Sequence, residues 1–392
     1  MRGMLLSPAQ VPILLVFEDP NPRLWEEACA AWASLKPVLY EDVADQLKQV
    51  YRLIVLGQRP RQETIRDYIS GNEVVVVDTK NPAQAAETLT VEVTMHMLKE
   101  LGGELFLLHA AALGDPGSDR ALALVAASGT GKTTASRFLG QHFVYLSDES
   151  AVVEPQGLAI RPYPKPLSVI ETVGKPKVQK DPAAEGLALA GEGETYRLQH
   201  LVVLNRVKDR QVEPSWQRVD LRQGLFDVIL QSSAVQRMPG GLADLAGLLN
   251  RLGGVIELTY SEIADTLPFF QQLLAGQIQL EPRVQDYEHV PGQDFLQGAI
   301  RGRLLYQRGR MSEGLALADG SYLLTADGRL SEVSVIAWDL WNLLAEPLSQ
   351  DQLFERASEL YGEIPREDFE QVVRELVNSG ILGTLRVLEE ED

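Results

Sequence analysis

The stretch AASGTGKTT (Ala126–Thr134) decides the reading of this chain. An apolar run, ALALVAA (Ala121–Ala127), leads into it, and a short helical pattern leaves it. Glycines in such a turn let backbone N–H groups wrap around phosphate oxygens. A lysine then reaches the outer phosphates, and a Ser/Thr hydroxyl can ligate Mg²⁺. Ser128, Gly129, Thr130, Gly131, Lys132, Thr133 and Thr134 supply that set. The first amides of the following helix add to it, because a helix N-terminus favours an anion. Ala126 stands where the strict pattern G-x-x-x-x-G-K-S/T has its first glycine. At average residue frequencies, G-K-S/T arises by chance about 0.2 times in a chain of this length, and requiring Gly129 as well lowers that to roughly 0.01–0.02. The spacing therefore predicts a nucleotide-phosphate site.

About one helix further on, the run FVYLSDE (Phe143–Glu149) ends in two acids, Asp148 and Glu149. In a right-handed β-α-β unit both strand ends face the same way, and ligands bind outside the carboxyl ends of such strands. This sets both carboxylates beside the outermost phosphate, where one can hold Mg²⁺ and the other can accept a hydroxyl proton. One hairpin before the glycine turn, the apolar strand ELFLLHAAAL (Glu104–Leu113) carries His109. By pattern alone that histidine reads as structural. Lys165 and the lysines of residues 171–180 could contact phosphate or substrate, but solvated charge is the better reading.

The chain has 392 residues, more than one ordinary domain. Its net charge of −19 disfavours general nucleic-acid binding. No apolar run approaches the roughly 20 residues of a bilayer span. Cys29, the single cysteine, excludes an internal disulfide and suits a reducing cytosol, so a cytoplasmic protein is expected. Three apolar runs, Val11–Glu18, Leu53–Gly57 and Glu73–Asp78, predict a small α/β domain over residues 1–80. Asn81-Pro82 starts a long helix that Gly102-Gly103 stops. A nucleotide-binding α/β domain is expected over 81–284, with residues 171–197 as a long loop. The stretch 295–392 changes character: short strands with Asp-Gly turns, then helices over about 335–346, 349–361 and 366–379. Ser349 and Pro365 mark two helix starts, and Gly380 marks a stop.

The order LLHAAAL, SGTGKTT, YLSDE and RPYPKPLSV resembles the HPr kinase/phosphorylase catalytic domain. More closely, it looks like the HPr-kinase-like proteins found beside peptide-modification genes. The resemblance covers about residues 82–280. It implies an α/β P-loop fold related to phosphoenolpyruvate carboxykinases, and transfer of phosphate from a nucleoside triphosphate with Mg²⁺ to a serine hydroxyl. Lys132 then matches the loop lysine, Thr133 the metal-binding hydroxyl, Asp148 the catalytic base, Glu149 a second acid that holds metal, and His109 the histidine near the active site. Arg237 stands where a remote arginine would fall. Ala126 replaces a glycine, and Glu149 stands where aspartate is usual. The C-terminal stretch, with its Asp-Gly hairpin, the helix bearing Ala337, Trp338 and Trp341, and the closing Ser-Gly-Ile-Leu, resembles a PqqD-like winged-helix domain, or RiPP recognition element. That family binds the leader of a precursor peptide by strand addition. From Arg301 onward there are nine arginines, no lysine and eighteen acids, which argues against a DNA-binding winged helix. Trp338, Trp341 and Leu344 read as core.

The expected function is an ATP- (or GTP-) and Mg²⁺-dependent kinase of a serine or threonine in a ribosomally made precursor peptide, with the C-terminal domain holding the leader. The expected partner is that peptide, with no nucleic acid and no membrane; a homo-oligomer is left open. The alternatives are a nucleotide-binding peptide chaperone or adaptor without phosphotransfer, and a small-molecule kinase acting on free serine.

Overall fold

The computed structural model describes residues 1–18, 22–48, 52–57, 74–126, 131–170, 177–233, 235, 238, 240–278, 280–298, 302–310, 313–326 and 329–387. The architecture is mixed α/β. The chain divides into two compact units, one of Met1–Arg218 with Val255–Glu281, the other of Val219–Gly254 with Pro282–Asp392. Among the described residues no helix is long and apolar enough to cross a membrane.

The first unit opens with a five-stranded sheet of β1 (Arg2–Leu6), β2 (Ile13–Phe17), β3 (Val38–Tyr40), β4 (Arg52–Gly57) and β5 (Val74–Asp78), in the order β3-β1-β2-β4-β5. The opening apolar residues, expected as one strand, form two antiparallel strands across a short turn at Pro8–Gln10. β2, β4 and β5 run parallel, and all five residues of β2 are buried, which is why its run is apolar without alternation. Helix α1 (Pro22–Ala31) follows β2. Helix α2 (Pro82–Leu101) follows β5; Asn81 caps it by accepting from the Gln84 amide, and Pro82 lies in its first turn.

The second sheet has ten strands among the described residues. They are β6 (Phe106–Leu108), β7 (Ala110–Gly114), β8 (Arg120–Val125), β9 (Val144–Ser147), β10 (Ala151–Val153), β11 (Ala159–Arg161), then, beyond a separate hairpin of β12 (Leu167–Val169) and β13 (Val178–Lys180), β14 (Ala188–Leu189), β15 (Tyr196–Arg206), β16 (Ser215–Val219) and β17 (Val255–Tyr260). Its centre reads β14-β9-β7-β8-β15, with β17 beside β15. The expected single strand Glu104–Leu113 is broken at His109 into β6 and β7, which pair with different neighbours. Residues 177–197, expected as loop, carry β13 and β14. Strands this short pair through backbone groups and leave no periodic signature. Helix α3 (Lys132–Leu139) packs Ala135 and Leu139 onto Leu113, Leu122 and Leu124 of the sheet. β7 is built of small residues because space there is tight: a Cβ on Gly114 would lie 2.5 Å from the Tyr196 ring.

In the second unit lie α4 (Leu221–Ile229) and α5 (Gly241–Arg251), which precede the sheet β18 (Tyr287–Val290), β20 (Glu313–Leu317), β21 (Tyr322–Ala326) and β22 (Arg329–Val333). β19 (Arg303–Arg308) pairs instead with β23 (Leu382–Val387). Helices α7 (Val335–Leu343), α8 (Gln350–Tyr361) and α9 (Arg366–Asn378) pack over them; α6 (Leu267–Leu274) belongs to the first unit. Trp338, Trp341 and Leu344 are core, as their spacing predicts. Ser349 forms a full capping box with Gln352, and Gly380 follows α9 at φ 78°. The buried carboxylate of Glu313 accepts from the Leu242 and Ala243 amides at 3.1 Å each, so β20 satisfies two orphan donors at the start of α5. The turn expected at Asp327-Gly328 lies outside the described residues.

His200 on β15 sits beside a bulge, where Leu198 pairs with Ala121 but His200 with Leu122. Burial first, then Arg218 and Arg120, push its imidazole down to about 4. The unfolded chain takes up a proton near pH 6.5 that the folded chain refuses until about 4. Stability therefore falls as the pH drops through that window, by about 3 kcal/mol at most. Denaturant titrations at about pH 7 and about pH 4.5 will show a smaller loss for His200→Gln than for the wild type. Equal losses would mean that other groups carry the slope.

Candidate active site

The site is assembled by strand direction. β7 runs antiparallel to both β8 and β9 and lies between them, with Ala110 opposite Val125 and Ala112 opposite Ser147. The start of β7 and the ends of β8 and β9 therefore share one edge of the sheet. β8 and β9 run the same way, as the β-α-β reading requires, although β7 separates them. His109 stands just before β7, Lys132 opens α3 beyond β8, and Asp148 follows β9.

These residues meet in an open cleft of about 400 Å³. Gly131, Lys132, Thr133, Thr134, Asp148, Glu149 and His109 all line it. Ser128, Gly129 and Thr130, expected to bind the nucleotide, and Arg237 lie outside the described residues. Gly131 caps α3 at φ 101°, a conformation open to glycine at little cost. Lys132 Nζ donates to the His109 carbonyl at 2.7 Å, which ties the start of α3 to the start of β7. The turn bearing the acids is shaped by Ser147, whose hydroxyl accepts from the Glu149 amide at 3.4 Å and the Ser150 amide at 3.1 Å.

The cleft also contains Lys165, Ser168 and Lys177. Lys165 corrects the expectation of solvated charge: it is 4% exposed, with Nζ 2.9 Å from Glu149 Oε2 and 3.6 Å from Asp148 Oδ1. The Tyr163 amide donates to the Leu146 carbonyl at 2.8 Å, so the RPYPKP segment is bound to the end of β9. The Tyr163 hydroxyl is 2.8 Å from that of Thr94 on α2. The sequence signal was a lysine flanked by prolines, which hold the backbone extended. Its burial depends on acids 16 and 17 positions earlier.

The electrostatics follow from this crowding. Burial pushes the Lys132 ammonium down to about 8, with Glu149 and Asp148 opposing the shift. Burial, then Lys132, lowers the His109 imidazole, and Glu149 partly offsets them. Burial alone would raise Glu149, but Lys165, with His109 and Lys132, brings it below the usual carboxylate value. Burial alone would lower Lys165, and Asp148 and Glu149 more than reverse that. Asp148 Oδ1 is buried and accepts no hydrogen bond among the described residues.

The donor set fits Mg²⁺. Thr133, Asp148 and Glu149 offer hard oxygens, and Asp148 Oδ1, paired with the Lys165 ammonium at 3.6 Å, keeps lone-pair capacity for a cation. No group of three or more His, Cys, Asp or Glu among the described residues could hold a metal unaided. That matches a cation that takes one or two carboxylates and completes its shell with phosphate and water.

No family model and no curated protein matches the chain. Among solved structures, the HPr(Ser) kinase/phosphatase from Coxiella burnetii aligns at 10% identity over 43% of this chain and 98% of that one, with a TM-score of 0.24. A likeness that loose carries no argument, and the functional reading rests on the cleft itself.

Gly131→Ala will destabilise the protein by about 1–2 kcal/mol, from the left-handed backbone alone. Among the described residues the added Cβ would meet the Arg206 side chain, at 3.8 Å, an ordinary contact. Chemical denaturation checks this; an unchanged midpoint would mean that the turn relaxes to negative φ.

Proposed function

We propose that this chain is a nucleoside-triphosphate-dependent kinase of the HPr kinase type, acting with Mg²⁺ on a serine or threonine hydroxyl of a ribosomally made precursor peptide. One observation carries the reading: a glycine-led helix start, two acids and a histidine converge on a single cleft at the carboxyl ends of β8 and β9. Lys132 and the first amides of α3 hold the phosphates of the co-substrate. Thr133, Glu149 and Asp148 hold Mg²⁺, which when bound neutralises charge on the outer phosphates. Asp148 takes the acceptor's proton as the hydroxyl oxygen bonds to the γ-phosphorus and the bond to the departing diphosphate breaks. His109, neutral under burial, braces Lys132 through its carbonyl and stands beside the acids.

The C-terminal strands and helices are the leader-binding part of this proposal. β22 ends the order β18-β20-β21-β22, so its outer edge has no strand partner among the described residues. Such an edge can take an added strand. The surplus of acids over this stretch supports a peptide ligand over a nucleic acid.

The test incubates the protein with ATP, Mg²⁺ and candidate precursor peptides, and reads phosphoryl addition by mass spectrometry. Asp148→Asn will lower transfer at least a hundredfold, the usual scale for a general base. Removing the leader from the precursor will raise KM and leave kcat close to its original value. Transfer untouched by Asp148→Asn refutes the base assignment. Nucleotide binding without transfer to any peptide favours the adaptor reading.

A further inference from the structure

We propose that Lys165 is the residue that recognises the terminal phosphate of the nucleotide, a role that rests on the nucleotide reading above. The cleft presents a problem of like charges. A triphosphate whose inner phosphates sit on the start of α3 brings its outer phosphate toward Asp148 and Glu149. Two carboxylates repel such a group strongly where water is scarce. Lys165 supplies the opposing charge at that point, 2.9 Å from Glu149 Oε2 and 3.6 Å from Asp148 Oδ1.

The other two ammonium groups of the cleft stand at different places: Lys132 opens α3, where the inner phosphates are seated in the reading above, and Lys177 lies toward α2. Lys132 Nζ binds the His109 carbonyl, and Lys177 Nζ lies 3.4 Å from Glu87 on α2. Of the three, Lys165 is the one within ion-pair distance of both acids among the described residues. Its backbone is fixed in advance: Pro164 and Pro166 flank it, its amide donates to the Tyr163 carbonyl at 2.9 Å, and Tyr163 is itself bound to Leu146 and Thr94. A cation held this way loses little freedom on meeting a phosphate oxygen. A lysine buried only for stability gains little over an apolar residue of similar size. On nucleotide entry the ammonium exchanges part of its contact with Glu149 for an oxygen of the γ-phosphate, which frees a Glu149 oxygen that would be available to hold Mg²⁺. Lys165 therefore separates triphosphate from diphosphate, which shares the inner phosphates but lacks the outer one.

Calorimetry of the full chain with ATP and with ADP at millimolar Mg²⁺ tests this. The wild type will bind both. Lys165→Met will hold ADP within about twofold and lose about tenfold or more for ATP, the scale of one charged hydrogen bond. Lys165→Arg will restore part of the ATP preference. Loss of ATP and ADP affinity together, or of neither, overturns the proposal, because Lys165 would then only brace the carboxylates or do nothing to the nucleotide. Should circular dichroism show that Lys165→Met does not fold, Lys165→Gln, which keeps a donor for Glu149, is read by the same criteria. A wild type that binds neither nucleotide overturns the nucleotide reading and this inference with it, a result distinct from binding that ignores Lys165.

Discussion

Two carboxylates facing one buried ammonium at the end of β9 are the arrangement that the rest of the site serves. Asp148 and Lys165 are almost wholly buried, and charges removed from water are tolerable only when their partners are held in place. The holding is done by backbone. Ser147 shapes the acidic turn, the Tyr163 amide binds the lysine-bearing segment to β9, and prolines on either side of Lys165 restrict its backbone. Burial in the same cleft makes the Lys132 ammonium give up its proton more readily than an exposed lysine, and it lowers the His109 imidazole as well.

Strand direction makes the meeting possible. An antiparallel β7 placed between two parallel strands puts its own beginning beside their ends, so residues from three separate stretches reach one edge. Packing permits this because β7 is narrow: its alanines and Gly114 leave room for Tyr196 and for α3 above. In the second unit a different economy applies. Glu313 closes the start of α5, and the Arg308 guanidinium lies 3.8 Å from the centre of the Trp341 ring while donating to carbonyls of Pro291 and Trp341.

The proposed kinase chemistry follows from these placements and needs no contribution from overall likeness. A glycine in the left-handed region opens a helix toward a cleft, hard oxygen donors stand opposite, and an imidazole and three lysines complete the surroundings.

The sequence by itself determined what local physics controls. Asn81 with Pro82, Ser349 and Gly380 mark helix ends because capping acts over three or four residues. Continuous apolar runs announce the buried parallel strands, and the spacing around Lys132, Asp148 and Glu149 announces the cleft. Only the tertiary structure decided that β7 lies between β8 and β9, that His109 falls at a break between two strands, that residues 219–254 pack with the C-terminal stretch, and that Lys165 is buried. Strand order and the burial of a charge are set by partners distant along the chain. A lysine's letter carries its charge, but the free energy of that charge depends on which carboxylates the fold brings beside it.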